Sequence, residues 1–254
     1  MKRVHIIIYL FLFAAFINTS CEKNGSESAN AGGGSNNGAG GSLARITIVG
    51  NYLYALDCAS LITFDITNPA KPVRKGNFTL VDPNIETIFP YKNKLFIGGR
   101  TGMFIYSLDD PANPKKEGSV THVRACDPVV SNDSVSYVTL RSFGTNCGNV
   151  ANVLNVYDIK NLKEPKLVKT VVMKMPHGLG IKNKTLYVCE AGQGMVVFDL
   201  ENPYNPVKKK EITGHTFTDV IPYGSVLIAY VTDGVCFYDI TNPQEPVFLS
   251  KVKG

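Results

Sequence analysis

Tryptophan is absent from this sequence of 254 residues, and only four histidines are present. The lack of Trp excludes repeat families built on a Trp-Asp dipeptide, and the scarcity of His restricts metal binding and acid–base chemistry. The longest apolar run near the amino terminus, residues 6–17, has twelve residues, whereas a membrane-spanning helix needs about 20. Lysines are scattered without an aromatic platform, so the sequence predicts no nucleic-acid partner.

The amino terminus has the parts of a secretory signal peptide. Two basic residues precede the apolar run, and the small polar residues 18–20 lead to Cys21. This order predicts that residues 1–20 form a signal peptide and that the protein is exported. The segment resembles a bacterial lipobox with Cys21 as the lipidated residue, although Asn18 replaces the usual aliphatic residue. A non-lipidated signal peptide cleaved near Ser20 is the alternative.

A flexible linker is predicted for residues 21–42. Of the 21 residues after Cys21, 18 are Gly, Ser, Asn or Ala, a composition that behaves as a flexible coil with a reach of roughly 25 Å. A lipid on Cys21 followed by such a linker suits a domain held to a membrane. We therefore expect an anchor in the outer membrane of a Gram-negative cell, on its periplasmic or its outer face.

One pattern recurs from residue 43 to residue 254. An apolar strand ends in Asp, and an Asn-Pro turn and a second Pro follow, as in residues 61–72. The Asp-equivalent positions are 65, 107, 158, 199 and 239, with Ser at 107. Each unit holds four short β-rich segments without helical periodicity. Because such a sheet cannot bury both faces alone, the pattern predicts an all-β fold, a five-bladed β-propeller of four-stranded antiparallel blades.

The repeated Leu61-Ile62-Thr63-Phe64-Asp65 element with its Asn-Pro-x-x-Pro turn resembles the LVIVD-repeat proteins, a propeller family of exported bacterial proteins. The resemblance implies the fold and says nothing about activity. We interpret the Asn-Pro element as turn chemistry, because Asn bonds its own turn and Pro fixes φ. We also expect the ring to close by packing the first blade against the last, with no shared strand.

Function is expected at one end of the ring, which we call the loop face. It is the end where each second strand turns into the third and each outer strand leads to the next inner strand. Irregular loops on a rigid scaffold commonly carry function. The candidate ligand-binding residues on this face are Glu86, Arg100, Asp127, Arg141, His177, Glu190 and Asp219. The alternative is a solvated rim whose His residues bond to turn backbone.

The cysteines divide by position. Cys126 and a long loop with Cys147 belong to the same end of the third unit, so an exported protein is expected to join them in a disulfide. A pair of unlinked thiols is the alternative. Cys58, Cys189 and Cys236 lie in or beside apolar strands and are interpreted as small buried hydrophobes.

Three functions remain open. The first is a membrane-tethered module of the cell envelope that binds an envelope protein or a glycan through the loop face. The second is a hydrolase or lyase in which His177 acts as base and Asp127 or Asp219 as its partner. The third is a carbohydrate-binding propeller. No cofactor fingerprint or metal motif is present in the sequence, so neither a cofactor nor a metal is expected.

Overall fold

Each of the five sequence units folds into one antiparallel sheet of four strands, and the five sheets form a five-bladed β-propeller. This arrangement, in a computed structural model, confirms the predicted fold class. The structure describes residues 40–57, 59–80, 84–122, 128–142 and 152–254. Within these residues no helix is long and apolar enough to cross a membrane.

The strands of each blade run in chain order from the inner to the outer edge. Blade 1 consists of β1 (Ile46–Val49), β2 (Tyr52–Asp57), β3 (Ser60–Asp65) and β4 (Val73–Thr79). Blade 2 consists of β5 (Ile85–Tyr91), β6 (Lys94–Gly99), β7 (Gly102–Ser107) and β8 (Lys115–Thr121). Blade 3 consists of β9 (Val129–Ser131), β10 (Val135–Leu140), β11 (Val153–Asp158) and β12 (Lys166–Val172). Blade 4 consists of β13 (Pro176–Lys182), β14 (Thr185–Glu190), β15 (Gly194–Asp199) and β16 (Val207–Ile212). Blade 5 consists of β17 (Phe217–Tyr223), β18 (Val226–Val231), β19 (Gly234–Asp239) and β20 (Val247–Lys253).

The repeated Asp and Asn residues act as turn residues. The Asp65 carboxylate accepts a hydrogen bond from the backbone N–H of Thr67, and the Asn68 side chain accepts one from Ala70. The same two bonds recur in every blade, with Ser107 and Asp110 as acceptors in blade 2. These bonds close the turn between the third and the outer strand.

A second use of the Asn-Pro turn joins neighbouring blades. The Tyr187 hydroxyl in blade 4 donates a hydrogen bond to the Pro243 carbonyl in blade 5, with an O···O distance of 2.7 Å. Tyr54 bonds to Pro111 and Tyr137 bonds to Pro203 in the same way, each at 2.8 Å. We call this contact the Tyr–Pro bond. It connects blade 1 to blade 2, blade 3 to blade 4, and blade 4 to blade 5.

Four hydrophobic clusters fill the junctions between consecutive blades, from blade 1 to blade 5. Blades 3 and 4 are buried on both faces, and every residue of β10 and of β14 is buried. These two blades therefore form the solid middle of the fold.

The junction between blade 5 and blade 1, which we call the seam, differs from the other four. No strand is shared across it, as expected from the sequence, and none of the four clusters of described residues contains side chains of both blades. Strand β18 shows why: Leu227 and Ala229 are buried, whereas Tyr230 on the opposite face is 59% exposed. Ile46 of blade 1 is 57% exposed. The seam is consequently the least packed junction of the ring.

Residues 40–44 lie in the centre of the ring and approach the seam. The Ala44 carbonyl accepts a hydrogen bond from Ile88 of blade 2 at 2.8 Å. The Ser42 hydroxyl accepts one from the backbone N–H of Leu179 in blade 4 at 2.7 Å, and Ser42 is only 1% exposed. The last three residues of the predicted linker, 40–42, are therefore part of the packed ring.

Candidate ligand-binding face

The loop face is shaped by bulges in the inner strands. In β5 the pairing shifts between Ile85 and Thr87, which leaves Glu86 as the extra residue. In β13 the shift includes His177, and in β17 it falls between Phe217 and Asp219. A bulge turns a side chain out of the regular alternation of a strand. Two predicted site residues, Glu86 and His177, thus lie within bulges, and Asp219 lies directly after one.

Glu86 and Arg100 form an ion pair within blade 2. The Arg100 Nε lies 2.9 Å from a carboxylate oxygen of Glu86, and each side chain is about one-quarter exposed. The Arg100 backbone N–H also donates to the carbonyl of Asn84, at 3.1 Å. These two bonds fix the turn between β6 and β7 to the start of β5.

A hollow of about 400 Å³ opens beside this pair. Its lining residues are Leu43, Arg45, Asn84, Ile85, Glu86, Thr87 and Arg100. Arg45 was not among the predicted site residues, because its place before β1 suggested only the start of a strand. Two arginines and one glutamate thus line the same hollow.

Arg141 and His177 form a second pair, which joins blade 3 to blade 4. The Arg141 Nη1 lies 2.9 Å from the His177 Nδ1 and 2.7 Å from its Nε2. Burial, and to a lesser extent the positive charge of Arg141, together lower the pKa of His177 to about 4. Because a guanidinium only donates hydrogen bonds, the imidazole must be neutral to accept one. The His177 carbonyl in turn accepts a bond from Thr139 Oγ1, at 2.7 Å.

Asp219 is bound to the segment that fills the centre of the ring. One carboxylate oxygen accepts hydrogen bonds from the Ser42 hydroxyl at 3.1 Å and the Val220 backbone N–H at 3.0 Å. The other accepts the Leu43 N–H at 3.2 Å. Burial raises the pKa of Asp219 above its ordinary value, although these three bonds oppose the shift. We call this arrangement the Asp219 latch.

Two glycines make room for the Asp219 latch. A Cβ atom on Gly41 would lie 2.1 Å from one Asp219 oxygen, and a Cβ on Gly178 would lie 2.2 Å from the other. No side chain can be accommodated at either position without moving the carboxylate. Glycine at position 41 therefore serves close packing, since only a residue without a Cβ allows this approach.

Glu190 lies inside the loop face. It is 3% exposed, and its carboxylate accepts the backbone N–H of Lys174 at 2.6 Å. This contact holds the connection that leads into β13. Other residues singled out in the sequence, namely Cys21, Cys58, Asp127 and the Cys126–Cys147 pair, lie outside the described residues.

The described part of the chain contains no group of three or more His, Cys, Asp or Glu side chains that could hold a metal ion. Cys189 and Cys236 are buried free cysteines, which fits their interpretation as hydrophobic residues. The polar groups that the structure brings together on the loop face are the Glu86–Arg100 pair, the Arg141–His177 pair and the Asp219 latch.

Comparison with known proteins agrees with the fold. The LVIVD repeat family model matches residues 40–80, which include blade 1. Together with the five repeated sheets, this match defines the chain as a repeat β-propeller. No curated protein matches the sequence.

Solved structures with the same fold are distant in sequence. The computationally designed Ika8 protein is 12% identical with a TM-score of 0.60, over 82% of this chain and 61% of that one. A functionally unknown protein from Desulfotomaculum acetoxidans is 11% identical with a TM-score of 0.63, over 80% and 66% of the two chains. The periplasmic gluconolactonase PpgL of Pseudomonas aeruginosa is 11% identical with a TM-score of 0.60, over 80% and 68%. This chain thus spans about three-fifths of the first of these proteins, and the likeness concerns the fold alone.

Proposed function

We propose that this protein is a binding module of the cell envelope that recognises its ligand on the loop face. The observation that supports this proposal is the hollow between Arg45 and the Glu86–Arg100 pair. It is a concave surface with fixed charged groups, on the end of the ring where loops vary. Such a surface, on a rigid scaffold, is a common form of a ligand site.

Binding is favoured over hydrolase or lyase chemistry because of the state of His177. A general base works best with a pKa near the working pH and needs an accepting nitrogen directed at the substrate. His177 has a pKa of about 4, and both of its ring nitrogens lie within 3 Å of the Arg141 guanidinium. This geometry suits a positioned neutral side chain better than a proton acceptor.

Anchoring is the second part of the proposal. Export through residues 1–20 and a lipid on Cys21 would attach the chain to the outer membrane, and the linker would carry the propeller away from its surface. Metabolic labelling with palmitate is expected to mark the wild-type protein. The Cys21→Ala variant should lose the label and leave the membrane fraction; an unlabelled wild-type protein contradicts this part.

The ligand site is tested by screening the detergent-extracted protein against arrays of envelope glycans and envelope proteins. We expect at least one ligand whose binding is lost in a variant with Arg100→Ala and Arg141→Ala. The matched control is Arg74→Ala, on the outer strand of blade 1. Binding that survives the double substitution, or the lack of any ligand, would contradict a site on the loop face.

A further inference from the structure

The hollow beside blade 2 carries an imbalance of charge. Arg45 and Arg100 both line it, whereas Glu86 is the one acidic residue among the lining residues that the structure describes. The sum of these three charges is +1. An anion placed in the hollow would relieve the repulsion between the two guanidinium groups.

Arg100 is held in place for such a contact. Its Nε is engaged by Glu86 at 2.9 Å, and its side chain is 24% exposed. Among the residues that the structure describes, Arg100 bonds through its side chain to Glu86, and Arg45 forms no ion pair. The bond to Glu86 holds the Arg100 guanidinium at the hollow. A guanidinium that is already fixed loses little conformational entropy when it binds a carboxylate.

The remaining wall of the hollow limits the size and character of the ligand. Leu43 is 37% exposed and presents an apolar surface, and Asn84 adds a polar residue to the lining. A ring that is apolar on one side and hydroxylated at its edge matches this lining. The volume of about 400 Å³ is sufficient for one such ring.

We infer that this hollow binds the carboxylate of a small sugar acid between Arg45 and Arg100. A monoanion neutralises the net charge of +1 in the hollow, whereas a phosphate dianion would leave an excess negative charge beside Glu86. The inference rests on the proposed binding function and adds the ligand class and the two arginines that recognise it.

The test is calorimetric titration of the detergent-extracted full chain with D-glucuronate, with D-glucose as the neutral match and inorganic phosphate as the alternative anion. We expect glucuronate to bind and glucose to bind at least tenfold more weakly. Arg45→Gln and Arg100→Gln should each weaken glucuronate binding at least tenfold, since each removes a charge-assisted hydrogen bond. The control Arg74→Gln should stay within twofold of the wild type.

Several results would overturn the inference. Equal affinity for glucose and glucuronate would mean that charge is not recognised, and tighter binding of phosphate would assign the hollow to a different anion. If the variants unfold at the same urea concentration as the wild type and still bind glucuronate, the arginines are not the binding residues. A glycan that binds the loop face independently of Arg45 and Arg100 would refute the sugar-acid site and leave the proposed function standing. The lack of any loop-face ligand would refute both.

Discussion

The Tyr–Pro bond between blades 4 and 5 makes a quantitative prediction. Replacing Tyr187 by Phe removes the hydroxyl that donates to the Pro243 carbonyl at 2.7 Å and leaves the buried ring in place, since Tyr187 is 0% exposed. A hydrogen bond of this kind contributes about 1 kcal/mol net to the free energy of unfolding. The melting temperature should fall by roughly 2–4 °C for each kcal/mol in a chain of this size.

Urea unfolding followed by circular dichroism measures the loss. The matched control is Tyr223→Phe, because Tyr223 is 66% exposed and should lose no more than about 0.3 kcal/mol. Tyr54→Phe and Tyr137→Phe should each cost about as much as Tyr187→Phe, and the three losses should add because the bonds lie in different junctions and share no partner. If Tyr187→Phe lowers the free energy of unfolding no more than Tyr223→Phe does, the Tyr–Pro bond does not stabilise the junction.

Four further predictions concern the loop face and the seam. Burial raises the pKa of Asp219 above its ordinary value of 3.8, so the folded state holds this proton more tightly than the unfolded state. The stability that this proton contributes is present at acidic pH and is lost as the pH rises through the folded pKa. Asp219→Asn should remove this contribution when urea unfolding is repeated at increasing pH. The contribution of His177 has the opposite sign, because its folded pKa of about 4 lies below the ordinary value of 6.5. This contribution to stability should rise with pH between these values, so the difference in unfolding free energy between the wild type and His177→Gln should rise with it. Glu190→Gln retains an oxygen for its backbone donor and should cost little, whereas Glu190→Ala should cost about 1–3 kcal/mol in the same assay; equal losses would contradict the role of that bond. In hydrogen exchange followed by mass spectrometry, β1 beside the seam should exchange sooner than β13, and the reverse order would mean that the seam is tightly closed.

Most of the fold could be predicted from the sequence because the repeat is regular. The Asp-equivalent positions recur at similar spacing except for the longer third unit, and each fixes a turn through the same side-chain bond, so strand order and blade number follow. The loop face could be predicted for the same reason, since antiparallel strands bring alternate loops to one end.

The positions of side chains within the loop face could not be predicted so well. The bulges at Glu86 and His177 depend on the fit between neighbouring inner strands, and no local sequence signal marks them. Ser42 was assigned to the linker because Gly and Ser favour flexible coil. In the structure it is buried, and its hydroxyl donates a hydrogen bond to Asp219. The partner of Ser42, Asp219, lies 177 positions further along the chain, so the residues around Ser42 give no sign of its burial.

The Tyr–Pro bond did have a signal in the sequence. The turn of the third unit has Leu162 in place of Pro, and the preceding blade has Phe96 where three other blades have Tyr. In blade 5 the residue that corresponds to these tyrosines is Ile228, which has no hydroxyl to donate. Blade 5 therefore forms no Tyr–Pro bond to blade 1 across the seam. The paired loss of Tyr and Pro indicates a contact between repeats, which a search within single repeats does not reveal.

The path of residues 40–44 determines how the ring would respond to a mechanical load. A force applied along the chain from its amino-terminal side would reach the Asp219 latch and the bond between Ala44 and Ile88 before it reached β1. The load would therefore be shared among blades 2, 4 and 5, where Ile88, Leu179 and Asp219 hold the segment. Blade 1 would be shielded from being peeled away strand by strand, even though it borders the least packed junction of the ring.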